Sequence, residues 1–202
     1  MRHMRTTDAA TVGVMGVSLA PGDHVCAFYP GAAERNEILI PYLQEGLDAG
    51  DKCICIVSDA TEPDGDLDSI RCYSHHSNQL AVDRSSETYL KGGSFSSDRM
   101  LKYWDSAIRQ AIEDGYTFAR GAGEMTWALE AMPGVEDLVT YESELNDFLK
   151  EYPAVIVCLY ELGRFSGEML VEVLKTHPKV ILGGIVLENP YYLDHAEYLA
   201  SR

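Results

Sequence analysis

Two stretches of this sequence, CICIVS at Cys53–Ser58 and AVIVCLY at Ala154–Tyr160, are apolar almost without interruption instead of at every second position. A strand with one wet face alternates polar and apolar residues. A strand that is apolar throughout needs cover on both faces, and such strands belong to parallel sheets sandwiched by helices. Other short runs rich in β-branched and aromatic residues predict strands at His24–Tyr29, Leu80–Asp83, Thr117–Arg120 and Val180–Leu187, with the two apolar runs extended to Lys52–Ser58 and Ala154–Tyr160.

Helical patterns separate these strands. The first helix follows Pro30-Gly31, ends at Gly50 and carries Pro41 inside it, where a kink is expected. Ser97 is placed to cap a helix bearing Leu101, Trp104, Ile108, Ala111 and Ile112, which Gly115 stops. A helix over Val135–Glu151 puts Leu138, Tyr141, Leu145 and Phe148 on one face. Another, after Ser166, puts Leu170, Val173, Leu174 and His177 on one face before Pro178. The alternation predicts an α/β fold: an open, mostly parallel sheet with helices on both faces. With 202 residues and no internal repeat or linker, residues 21–202 read as a single domain behind a flexible leader at 1–20.

Charge removes several functions. Sixteen Lys and Arg stand against 32 Asp and Glu, a net charge of −16. Phosphate backbones and anionic membrane surfaces repel such a chain, so neither direct nucleic-acid nor membrane binding is expected. There is no apolar run of about 18 residues and no signal-peptide core, which points to the cytoplasm. Of the five cysteines, Cys26, Cys53, Cys55 and Cys158 sit inside apolar runs, Cys72 does not, and no C-x-x-C pair occurs. They read as buried, reduced thiols without metal, in preference to a soft-metal set of His24, Cys26, Cys53 and Cys55.

In open parallel sheets ligands sit beyond the carboxyl ends of the strands. The first turn there lacks the phosphate-binding pattern G-x-x-x-x-G-K-[ST]: it has one glycine, no lysine precedes Lys52, and Glu34 and Glu37 flank its one cation, Arg35. Nucleotide hydrolysis is not expected. In ARGAGEMTWALEAM, Glu124 and Trp127 share a face if the segment is helical, and Gly121 and Gly123 would let backbone approach a ligand. The competing reading makes Trp127 a core residue. YELGRF supplies Tyr160 and Phe165, either as pocket walls or as core packing, and ENPYY supplies Asn189 and Tyr191 in a turn. His177 ends an apolar helix face, where a cap is the simpler role than catalysis. One expected pocket therefore has Tyr29, Trp127, Tyr160, Phe165 and Tyr191 as walls, with Arg35, Glu124, His177 and Asn189 as polar contacts.

The ordered series GDHVCAFYPGAAERNEILIPYLQEGLDAGDKCICIV, ETYLKGGSF, GEMTWAL, YESELN, VCLYELGRFSGEMLVEVLKTHP and ENPYY resembles the MEDS domain, the sensory domain of methanogens, methylotrophs and the dichloromethane-metabolism repressor. The likeness runs from Pro21 to Tyr192. It implies a RecA/KaiC-like fold with a degenerate P-loop, no cofactor, and sensing of a small, largely apolar hydrocarbon derivative. The short flanks lead us to expect a stand-alone sensor acting through a regulatory partner protein or by homo-oligomerising. The alternatives are an enzyme (a degenerate ATPase, or a thiol catalyst using Cys26 or Cys158) and a pure interaction scaffold.

Overall fold

The computed structural model describes residues 18–59 and 78–202. Residues 1–17, most of the acidic run after Asp59, and Cys72 lie outside the described residues. Leu19, assigned to the leader, is fully buried among residues of the core, so the folded unit includes it.

The elements are β1 (His24–Tyr29), α1 (Ala32–Ala49), β2 (Lys52–Val57), β3 (Leu80–Arg84), α2 (Ser97–Glu113), β4 (Ala119–Glu124), α3 (Leu138–Leu149), β5 (Ala154–Glu161), α4 (Gly167–Thr176), β6 (Lys179–Leu182), β7 (Ile185–Glu188) and α5 (His195–Ala200). The strands form one seven-stranded sheet in the order β3-β2-β4-β5-β1-β6-β7. All pairings are parallel except β6 with β7. β1 is buried at all six positions, and β5 at every position except its last. This is the double cover that the apolar run of β5 predicted.

Strand alternation sorts side chains into two cores. Val25, Ala27 and Tyr29 of β1 join α1 residues Ile38, Leu39, Leu43 and Leu47 on one face. Cys26 and Phe28 join Trp104, Ile108, Tyr141, Leu145 and Val173 on the face covered by α2, α3 and α4. Helix ends follow local chemistry. Gly50 adopts a left-handed φ of 81° and closes α1 through its N–H to Gly46 and Leu47 carbonyls. Ser166 caps α4, its side chain accepting from Met169 N. The cap of α2 is Ser96, whose side chain accepts from Arg99 N; Ser97 instead donates to Glu144. α3 begins at Leu138, and residues 135–137 form a short 3-10 turn ahead of it.

Two strand expectations are corrected. The fourth strand extends to Glu124, through Gly121 and Gly123, residues of low strand propensity. Their missing side chains make room for rings: a Cβ on Gly121 would lie 2.8 Å from Ile156 Cγ1 and 3.1 Å from Trp104 Cζ3, and one on Gly123 2.4 Å from the Tyr89 hydroxyl. These glycines admit the protein's own aromatics. The run Val180–Leu187 is not one strand. Gly183 and Gly184, both at positive φ, turn it into the β6–β7 hairpin.

Candidate functional site

At the carboxyl ends of β1, β2 and β4, three segments meet around Glu124. Its Oε1 accepts from Arg35 Nη1 at 2.8 Å and its Oε2 accepts from Ser58 N at 2.7 Å. Arg35 also donates through Nε and Nη2 to Asn36 Oδ1. Tyr29 closes this group from β1. Burial, reinforced by the Glu124 and Glu161 charges, pushes its hydroxyl pKa upward, so it remains a phenol. Glu124 ends a strand and Trp127 sits in the 3-10 turn Thr126–Leu129, so the expected shared helical face does not exist.

Trp127 is fully buried. Its ring stacks on Tyr89 at 4.6 Å and lies 4.7 Å from Phe95, which meets Tyr141 edge-on at 5.5 Å. Its Nε1 has no hydrogen-bond partner among the described residues. Trp104 differs: its Nε1 donates to the Tyr141 hydroxyl at 2.9 Å. A buried N–H without an acceptor costs about 1–3 kcal/mol, so such groups are rare and call for an explanation.

A second polar centre lies under α3 and α4. Glu142 of α3 is wholly buried, and Oε2 stands 3.1 Å from His24 Nε2 and 3.4 Å from His177 Nε2. Cys158 Sγ donates toward the same oxygen at 3.5 Å, while Tyr160 donates to Oε1 at 2.5 Å. The imidazoles of His24 and His177 lie 4.0 Å apart. Burial and the neighbouring His177 push His24 down to about 4, against the pull of Glu142. Burial works against the Glu142 carboxylate, but the two histidines hold its pKa below the usual range. Ligand-type atoms of His24, Glu142, Cys158 and His177 all lie within 4.8 Å of one another, a group that could hold a metal ion. Cys158 itself is a poor nucleophile, because burial first and Glu142 second push its thiol pKa up.

The nine residues expected to line one pocket therefore divide. Tyr29, Arg35 and Glu124 gather on the α1 side. Tyr160 and His177 converge on Glu142, and Phe165 packs on Tyr160 at 5.1 Å. His177 is a helix cap in its backbone only; its ring turns inward. Asn189 is a staple, donating to the Leu174 and His177 carbonyls at 2.6 and 2.7 Å and accepting from Tyr191 N. Tyr191 is 69% exposed, in a surface groove with Val171, Leu174, Lys175, Pro190 and Leu193. The set His24, Cys26, Cys53 and Cys55 is split by the sheet, since Cys53 and Cys55 face α1 while Cys26 faces the opposite core. Glu142 and Asn146 were missed as site residues. The signal was present in YESELN, where a carboxylate and an amide four residues apart interrupt an apolar helix face.

A family profile described as MEDS, the methanogen/methylotroph, DcmR sensory domain, matches residues 23–178. The chain is 28% identical over 172 residues to the transcriptional repressor DcmR of Methylorubrum extorquens; the match covers 84% of this chain and 63% of the relative's length. Among solved structures, a KaiC-like protein of Pyrococcus horikoshii superposes with a TM-score of 0.57 at 13% identity, covering 86% of this chain and 80% of that one. The flagellar accessory protein FlaH of Methanocaldococcus jannaschii gives 0.52 at 12% identity, covering 84% and 76%. The expected RecA/KaiC-like sheet is the fold present, and the sequence likenesses support a regulatory role.

Proposed function

The chain belongs to the MEDS family of sensory domains, and from that membership we propose that it senses a small, largely apolar hydrocarbon derivative and relays the bound state to a partner protein in transcriptional or signal-transduction control. The observation that carries the ligand reading is the unpartnered Nε1 of Trp127, a buried donor in a box of Tyr89, Phe95 and Tyr141 at the end of β4. An apolar molecule with one acceptor atom, such as a short alcohol or a haloalkane, satisfies that donor and keeps the aromatic surface dry. The cysteines give no support to a thiol-dependent reaction, since burial raises the thiol pKa of each described one.

Thermal shift and equilibrium dialysis with short alcohols and haloalkanes test the proposal. The expected result is saturable binding that raises the melting temperature and is lost in Trp127→Phe, which keeps the aromatic stack but removes the donor. Absence of saturable binding across the series, or undiminished binding by a folded Trp127→Phe variant, overturns it.

A further inference from the structure

The Glu142 centre is separate from the Trp127 site and carries an inference of its own. Its four side chains come from four elements: His24 from β1, Glu142 from α3, Cys158 from β5 and His177 from the end of α4. The contacts His24 Nε2–Glu142 Oε2, His177 Nε2–Glu142 Oε2, His24 Nε2–Cys158 Sγ and Cys158 Sγ–Glu142 Oε2 measure 3.1, 3.4, 3.4 and 3.5 Å. A tetrahedral ion with bonds of ~2.0–2.3 Å holds its ligand atoms ~3.3–3.8 Å apart, so these four edges are close to those of a tetrahedron around such an ion.

The outer contacts orient the rings for that role. Asn146 Nδ2 donates to the carbonyls of Glu142, Ser143 and Thr176, which fixes its Oδ1 as the atom facing His24 Nδ1 at 3.3 Å. His24 Nδ1 therefore carries the hydrogen. His177 Nδ1 likewise donates to the Val173 carbonyl at 2.8 Å. With each Nδ1 already donating, both imidazoles present Nε2 to the Glu142 carboxylate, and His177 Nε2 makes no hydrogen bond among the described residues. In a dry interior such a group needs positive charge between the nitrogens and the carboxylate, which a proton on nitrogen or a metal ion supplies. Histidines that ligate metals are held in just this way, with the second ring nitrogen donating to a carbonyl or amide oxygen.

We propose that His24, Glu142, Cys158 and His177 form a closed tetrahedral site for one divalent transition-metal ion of the zinc type. Binding replaces the Cys158 S–H bond with a metal–sulfur bond and releases the thiol proton to solvent. A dipositive ion with one thiolate and one carboxylate is then neutral overall, which removes most of the cost of burying charge. The mixed nitrogen, sulfur and oxygen set suits zinc and its neighbours and is wrong for calcium or magnesium, which take oxygen. All four ligands are protein atoms and fully buried, so the ion enters during folding and staples α3 and α4 to β1 and β5.

The full chain is unfolded with chelator, refolded with Zn²⁺ or Co²⁺ alone, and gel-filtered. One retained equivalent is expected, with a thiolate-to-cobalt charge-transfer band. Folded Cys158→Ser should lose that band, and Asn146→Ala should bind ~10–100-fold more weakly. The proposal is overturned if no metal is retained, if the cobalt protein lacks the band, if folded Cys158→Ser keeps it, or if a folded His24→Gln/His177→Gln double variant retains metal as the parent does.

Discussion

Arg35 and Glu124, 89 residues apart in the chain, meet at 2.8 Å with side chains only 6% and 3% exposed, so each offsets part of the other's cost of leaving water. Removing one partner of a buried pair leaves an uncompensated charge and typically costs about 3–5 kcal/mol. Arg35→Met and Glu124→Gln should each destabilise on that scale, the glutamine keeping an acceptor for Ser58 N. The double variant should lose less than the sum of the two, with a coupling of about 0.5–3 kcal/mol in urea unfolding. Additive losses would mean that the contact is not the stabilising one.

Mg-ATP should give no saturable heat in calorimetry. The cation of the β1–α1 turn is committed to Glu124, and the Glu34 carboxylate lies over Gly31, within 3.5 Å of where a Cβ would sit. A polyphosphate approaching this turn meets a like charge. Micromolar binding would show that the turn rearranges to hold a nucleotide.

Trp127→Ala should lower stability by about 3–5 kcal/mol in the absence of any ligand, because a fully buried indole stacked on Tyr89 leaves a cavity when removed. Thermal melting measures it. A melting temperature within a degree or two of the parent would place the indole in a space that tolerates being empty.

Gly123→Ala should also destabilise, by about 1–3 kcal/mol, since its Cβ would fall 2.4 Å from the Tyr89 hydroxyl. The companion change Tyr89→Phe removes the obstructing oxygen, so the two together should cost less than Gly123→Ala alone. Urea unfolding of the pair decides it.

In the metal-free protein, Cys26, Cys53, Cys55 and Cys158 should resist thiol reagents at about pH 8 until denaturant is added, because the thiolate is the reactive form. Burial pushes Cys53 up to about 12 despite the nearby Arg120, and it raises the other three thiols as well. Working in a Cys72→Ser background removes the fifth thiol from the count. Rapid native labelling of any of the four would show that its strand opens readily.

The sheet was legible because a strand covered on both faces has to be apolar on both, and β5 announces this in its own letters. β4 was less legible. Its glycines weaken the local strand signal, and their reason for being there is the approach of Tyr89 and Trp104, residues remote in sequence. The β6–β7 reversal was carried by Gly183-Gly184, a turn signal masked by apolar residues on both sides. Of the site, Arg35 and Glu124 were named individually, but their pairing depends on where β4 ends, which local pattern did not give. Tyr160 was named as a wall and His177 as a polar contact of a carboxyl-end pocket, yet both point at Glu142, a residue whose helix position looks like an error until its partners on β1 and β5 are in place.

The sorting of neighbouring side chains into two cores limits how this molecule can move. Along β5, Cys158 and Tyr160 serve the Glu142 centre, while Val157 and Leu159 pack beneath α1. A one-residue slip of β5 would exchange these sets, driving a thiol and a phenol into an aliphatic layer and stripping Glu142 of its donors. Strand sliding is thereby closed as a channel of communication. Any displacement that starts at one surface of the sheet reaches the other only by tilting strands as stiff rods or by shifting whole helices across an unbroken hydrogen-bond lattice.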